Sequence, residues 1–178
     1  AAVQRIRAGR EQPAAPLEEL TAGIQAPLPV SIDLALPAAI APEYVADRQL
    51  RLQLYRRLAN LRTLEEVGAM EAELGDRFGP LPGEVRNLLY QLRVKLMAAA
   101  AQVESITSEN GQILIQLPPE RVPEGLTEQG LAVRSSKRGI WLEAGPGAPW
   151  RQQLVRLLHG LGAPPWTEAP LEPQADQI

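Results

Sequence analysis

The chain has 178 residues, 45% of them apolar and 22% charged, with a formal net charge of −3. That is enough for one medium domain, or a domain with an appendage, and its acidity excludes a domain that wraps nucleic acid by bulk positive charge. Cysteine is absent, which excludes disulfides and zinc–thiolate sites and fits a cytoplasmic protein.

No apolar run reaches the roughly 20 residues that a membrane-crossing helix needs. The first ten residues carry three arginines with no apolar stretch behind them, unlike a signal peptide. Residues 1–9 read as the end of an upstream helix stopped at Gly9, as expected of a fragment of a longer polypeptide. Residues 10–29 are rich in proline, glycine and acidic or amide side chains and read as a linker.

Residues 30–36 alternate apolar with small or polar side chains, a strand pattern ended by Pro37. Pro42 then reads as the opening of a helix, with Glu43 in its first turn. Leu50, Leu54, Leu58 and Leu61 form its apolar stripe, widened by Leu52 and Tyr55. Thr63-Leu64-Glu65-Glu66 is a capping box that starts a second helix, with Leu64, Val67, Met70, Leu74 and Phe78 on one face.

The run Glu73-Leu74-Gly75-Asp76-Arg77-Phe78-Gly79-Pro80-Leu81-Pro82 joins this helix to the next. Gly79 can take positive φ where the helix stops, and Pro82 suits the first turn of the next one. Val85, Leu88, Leu89, Leu92, Leu96 and Ala99 form the third helix's buried face. Phe78, the chain's only phenylalanine, is expected in the core; Arg77 reads as a turn brace or hydrogen-bond donor, and Asp76 as an acceptor from nearby backbone amides.

Two hairpins follow. Asn110-Gly111 predicts a type I′ turn between residues 103–109 and 112–117. A weaker signal pairs residues 131–135 with 140–143 through Ser136-Lys137-Arg138-Gly139. Trp150, Leu154, Leu157, Leu158 and Leu161 make a last amphipathic helix, stopped by Gly162 and Pro164, and residues 164–178 read as a disordered tail. Strand, three helices, two hairpins and a helix predict an α+β fold with helices packed on a small antiparallel sheet.

The usual catalytic constellations are missing. The single histidine, His159, falls late in the last helix, where a cation suits the helix dipole, and no Gly-x-Ser-x-Gly elbow occurs. Scattered carboxylates give no metal-ligand spacing. Gly145-Pro146-Gly147 lacks the lysine of a phosphate loop, and the prolines of Gly79-Pro80-Leu81-Pro82-Gly83 remove amide donors. No cofactor or metal is expected, and the chain is not read as an enzyme. An enzyme built on a carboxylate site would need a deep pocket with strongly shifted carboxylates.

Charge is unequally shared between neighbouring helices. Residues 43–62 hold Arg48, Arg51, Arg56, Arg57 and Arg62 against Glu43 and Asp47, whereas residues 63–78 hold Glu65, Glu66, Glu71, Glu73 and Asp76 against Arg77. Three readings stay open: solvated faces that partly neutralise one another, a docking surface for a charged protein, or nucleic-acid binding by the arginine segment, which the adjacent acids and scarce aromatics disfavour.

Residues 30–117 resemble the C-terminal domain of bacterial transcription-repair coupling factors (Mfd). The resemblance rests on Ile32-Asp33-Leu34, Ala39-Ile40-Ala41-Pro42-Glu43-Tyr44-Val45, Arg51-Leu52-Gln53-Leu54-Tyr55-Arg56-Arg57-Leu58-Ala59, the run from Glu73 to Pro82, and Asn87-Leu88-Leu89, in that order. Ala41 and Gly75 depart from the family's usual residues, and residues 118–163 match only in general layout. The resemblance implies a regulatory C-terminal domain at residues 30–163 of an ATP-driven DNA translocase that removes stalled RNA polymerase and recruits excision repair through UvrA. It further implies that this domain docks on the protein's own N-terminal UvrB-like module and masks UvrA binding. Asp76, Arg77, Phe78, Gly79, Pro82 and Tyr55 are expected to shape the fold; Arg56, Arg57, Glu65, Glu66, Glu71 and Glu73 are the docking candidates on charge alone.

Overall fold

The computed structural model describes residues 28–122, 133–137 and 139–166. The upstream helix end, most of the linker, the start of the second hairpin and residues 167–178 lie outside the described residues.

The first strand, β1 (Ser31–Asp33), is shorter than the alternating pattern predicts. Leu36 N–H donates to the Leu34 carbonyl at 2.7 Å, a tight turn that takes the chain out of the strand. The predicted helix at Pro42 starts six residues later. Tyr44 and Val45 amides both donate to the Ala41 carbonyl at 3.1 Å, making an isolated turn. Helix α1 (Arg48–Asn60) begins where Asp47 supplies a capping carboxylate to the Leu50 amide at 3.1 Å. Ala41, ahead of the proline, has no such acceptor, so the proline alone does not open a helix.

Helix α2 (Leu64–Phe78) opens on the capping box: Thr63 accepts from the Glu66 amide at 3.2 Å, and Glu66 accepts back from Thr63 at 3.1 Å. It ends at Gly79, whose φ of +87° is left-handed. Helix α3 (Gly83–Ala100) has Pro82 as its N-cap rather than in its first turn. It closes with Gln102 at φ +57°, the Gln102 amide on the Ala99 carbonyl and the Val103 amide on Ala98. That is a Schellman stop built without glycine.

β2 (Ser105–Glu109) and β3 (Gln112–Gln116) form the first hairpin, with Asn110 at φ +50° and Gly111 at +75° as a type I′ turn requires. β4 (Val133–Ser136) and β5 (Gly139–Glu143) form the second. A Cβ at Gly139 would fall 2.1 Å from the Ile115 carbonyl oxygen, so this hairpin depends on glycine there. Helix α4 (Trp150–Gly160) ends in a second Schellman stop at Gly162, with His159 exposed in its last turn.

The sheet order is β1-β2-β3-β5-β4. Four strands pair antiparallel, as the hairpins predict; β1 adds to β2 in parallel, joined through the three helices, so the sheet is mixed. A parallel neighbour needs a long crossover, and the helices supply it. The fold is α+β, with four helices and five strands among the described residues.

Two apolar cores result. One lies between the sheet and α3 and α4, around Ile106, Ile113, Ile115, Ile140, Leu142, Met97 and Leu154. The other lies among the helices, around Leu54, Leu58, Val67, Met70, Leu74, Val85, Leu88 and Leu89. Helix α3 contributes to both, which is why it is buried on almost every side. Trp166, in the stretch read as tail, packs against the first core with its ring 6.1 Å from Tyr90.

Candidate docking surface

The joint between α2 and α3 is held from outside the motif that announces it. Tyr44, from the turn before α1, directs its hydroxyl at the Leu74 and Gly79 carbonyls, at 3.0 and 3.1 Å. The Gly79 carbonyl, at the helix cap, is one that the helix end leaves without an intrahelical donor, and Leu74 lies a turn before it. Its ring meets Phe78 edge-on, with centroids 5.8 Å apart, and burial pushes its phenol pKa up. Phe78 is half-buried at the margin of the helical core, not inside it, with the Arg77 guanidinium 5.3 Å from the centre of its ring. Arg77 also donates to Glu73 at 3.0 Å. Asp76 is exposed, and its carboxylate makes no hydrogen bond among the described residues. Tyr55, on α1, accepts from the Ile40 amide at 2.7 Å and so ties the segment before the turn to the helix.

The six charge-selected residues separate into two groups. Arg57 on α1 forms a two-pronged pair with Glu73 on α2, at 2.7 and 2.6 Å, and Arg77 joins the same carboxylate. Hydrogen bonds from Arg57 and then Arg77 draw the Glu73 pKa down to about 2, and Glu73 in turn holds the Arg57 pKa up. Glu66 accepts from the amides of Arg62 and Thr63, at 2.7 and 3.1 Å, which lowers its pKa as well. Glu71 forms an ion pair with Arg93, a buried arginine of α3. Arg57, Glu73 and Glu71 thus bind helices to one another, and Glu66 caps its own. Arg56 and Glu65 are exposed and make no ion pair among the described residues.

Two further arginines of the basic segment are also engaged. Arg51 donates to the Val45 and Ala46 carbonyls at 2.6 and 2.9 Å, and Arg62 to those of Ala59 and Leu61 at 2.9 and 3.0 Å. Their positive charge remains, but their direction is fixed toward their own backbone. That leaves Arg48 and Arg56 as the exposed cations of α1 without a partner among the described residues.

Charge and periodicity do not reveal a second polar group, which joins the two cores. Asn87 on α3 donates to the Pro37 carbonyl at 2.9 Å and accepts from Arg151 of α4 at 3.0 Å. Gln91 donates to Leu36 at 3.3 Å, and the Tyr90 hydroxyl donates to the Arg151 carbonyl at 3.1 Å. The Arg151 guanidinium stands 4.1 Å over the Tyr90 ring, and that of Arg93 stands 5.1 Å over Trp166. One signal was present: Arg93 falls between Leu89 and Leu96 at buried-face spacing, where a charge demands a partner.

Among the described residues no group of three or more histidines or carboxylates is placed to hold a metal, and no helix is long and apolar enough to cross a membrane. What the arrangement offers chemically is recognition through fixed charges of both signs on a braced scaffold.

Residues 34–125 match the TRCF domain family. The transcription-repair-coupling factor of Mycobacterium bovis is 36% identical over 98 residues, covering 55% of this chain and 8% of that protein. That of Rickettsia conorii is 41% identical over 85 residues, 47% of this chain and 8% of that protein. That of Escherichia coli K12 is 31% identical over 114 residues, 64% of this chain and 9% of that protein. The chain thus spans less than a tenth of the curated relatives it matches. A crystal structure of the C-terminal domain of transcription-repair coupling factor shares the fold, with a TM-score of 0.59 and 19% identity over 74% of this chain and 86% of that one.

Proposed function

Because this chain belongs to the TRCF domain family, we propose that it is the non-catalytic regulatory domain of a cytoplasmic transcription-repair coupling factor, working by docking on that protein's N-terminal UvrB-like module. In the docked state it masks UvrA binding. The mask lifts when the ATP-driven DNA translocase acts on stalled RNA polymerase. The observation that supports this reading most is how the family-matched residues are used. Tyr44, Tyr55, Leu74, Gly79 and Asn87 hold α1, α2 and α3 in one braced unit, while Arg56 and Glu65 on the same unit stay exposed. Such a unit suits a contact whose partner is tethered. An effective concentration of order millimolar lets a weak polar contact hold a closed state and leaves it easy to open.

Titration of the purified domain with the N-terminal module tests the dock. We expect saturable association that charge reversal at Arg56 and Glu65 weakens and that added salt weakens further; no association at high micromolar concentration refutes it. In the intact protein, deleting the domain should raise UvrA binding. The alternative is a DNA- or RNA-binding accessory domain that uses the arginines of residues 43–62, and a steeply salt-dependent affinity for nucleic acid would favour it. The carbonyl-bound geometry of Arg51 and Arg62 speaks against it.

A further inference from the structure

Arg93 is the only charged side chain buried among the described residues. It stands on α3 between two segments far apart in the chain. Its Nη2 donates to Glu71 of α2, and the ring centre of Trp166 lies 5.1 Å from its guanidinium carbon. Its Nε is buried with no hydrogen-bond partner among the described residues. Glu71 is therefore what offsets the burial of this charge, which is costly when a cation is left uncompensated.

Trp166 reaches Arg93 at the end of a short segment that leaves α4. The Ala163 amide donates to the Leu158 carbonyl at 3.0 Å. Beyond it, no hydrogen bond to a described residue holds Pro164, Pro165 or Trp166. The two prolines are exposed and have no N–H to give. What seats the segment is the Trp166 ring, half-buried beside Arg93 and 6.1 Å from the Tyr90 ring. A segment held by one side chain opens at small cost, and prolines limit the freedom it gains by opening.

We infer that residues 163–166 form a strap that opens and closes over Arg93, coupled to α2 through the Glu71–Arg93 ion pair. Closed, Trp166 keeps water from the guanidinium, and the pair is stronger in the lower dielectric. Open, Arg93 meets water and the pair becomes the exposed kind that contributes little. The coupling is reciprocal. Without the Glu71 charge, a buried Arg93 has nothing to offset it, and the strap is pushed off so that the cation can hydrate. The strap thus sets how firmly α2 is held. Helix α2 also carries exposed Glu65, so the strap bears on docking, a consequence that rests on the dock proposed above.

The full 178-residue chain labelled with 5-fluorotryptophan tests the strap by fluorine NMR. Its three tryptophans give three resonances, and Trp166→Phe identifies one of them. Glu71→Ala should raise the solvent-exposed fraction of Trp166 about tenfold, while the resonance of Trp150, on the other neighbour of Tyr90, stays in place. In the opposite direction, Trp166→Ala should speed deuterium exchange of the α2 amides around Glu71 about tenfold and leave those of β3 unchanged. In an Arg93→Met background, Trp166→Ala should add nothing at α2. Trp166 unmoved by Glu71→Ala overturns the inference, as does a shift that Trp150 shares, which marks general loosening. So does a Trp166→Ala effect on α2 that persists without Arg93. Should Arg93→Met fail to fold, the Glu71→Ala and Trp166→Ala measurements still decide. All of them are made without the UvrB-like module, so failure here leaves the dock untouched.

Discussion

Two tyrosines show how much structure can rest on one hydroxyl. Tyr55 reads in the sequence as a residue widening an apolar stripe, and its stem does that. Its oxygen, however, is the acceptor for the buried Ile40 amide. Tyr55→Phe keeps the ring and strands that donor, which should cost about 1–3 kcal/mol in urea unfolding. Tyr44 carries no periodic signal at all, because it sits in a turn, and its two carbonyl acceptors are 30 and 35 residues away. Contacts of that kind depend on tertiary placement, which local pattern does not encode. The carboxylates make a separate prediction. Glu66 and Glu73 both have pKa values held below their ordinary 4.5, Glu73 at about 2. Depressed folded values stabilise the protein above pH 4.5, and that stabilisation is lost as pH falls toward 2. The thermal midpoint of wild type should therefore exceed that of E66Q/E73Q at pH 6, and the two should converge as pH approaches 2.

At the scale of elements, boundaries are legible where a sequence neighbour or a glycine makes them. The capping box at Thr63 is visible because both of its partners are sequence neighbours. Thr63→Ala should cost about 1 kcal/mol of stability. Helix α1 starts after Asp47 rather than at Pro42, because a proline and a first-turn acid do not accept from the first free amides as the Asp47 carboxylate does. The end of α3 carried no glycine to mark it. Gln102 takes the left-handed turn instead, at the cost such a conformation imposes on a residue with a Cβ. Gln102→Gly should therefore stabilise the domain, by about 0.5–1 kcal/mol in chemical denaturation, against the usual penalty of introducing glycine. The docking candidates show the same limit. Charge picked out six residues, but only geometry shows that Arg57, Glu66, Glu71 and Glu73 are engaged within the domain, leaving Arg56 and Glu65 exposed.

For the whole molecule, the α+β class follows from element order, and the two antiparallel hairpins follow from Asn110-Gly111 and the alternation around it. The parallel attachment of β1 does not. A three-residue strand holds too little pattern to name its neighbour, and its partner lies more than seventy residues away, beyond the helices. Nor does the division into two cores show in the sequence, since α3 presents apolar side chains in both directions and reads simply as a strongly buried helix. Sharing α3 has a consequence for how the molecule comes apart. When either core loosens, the other still holds that helix. Deuterium should thus enter the backbone amides of α3 last of all, and a mutation that loosens either core alone should leave its mid-helix amides the slowest to exchange.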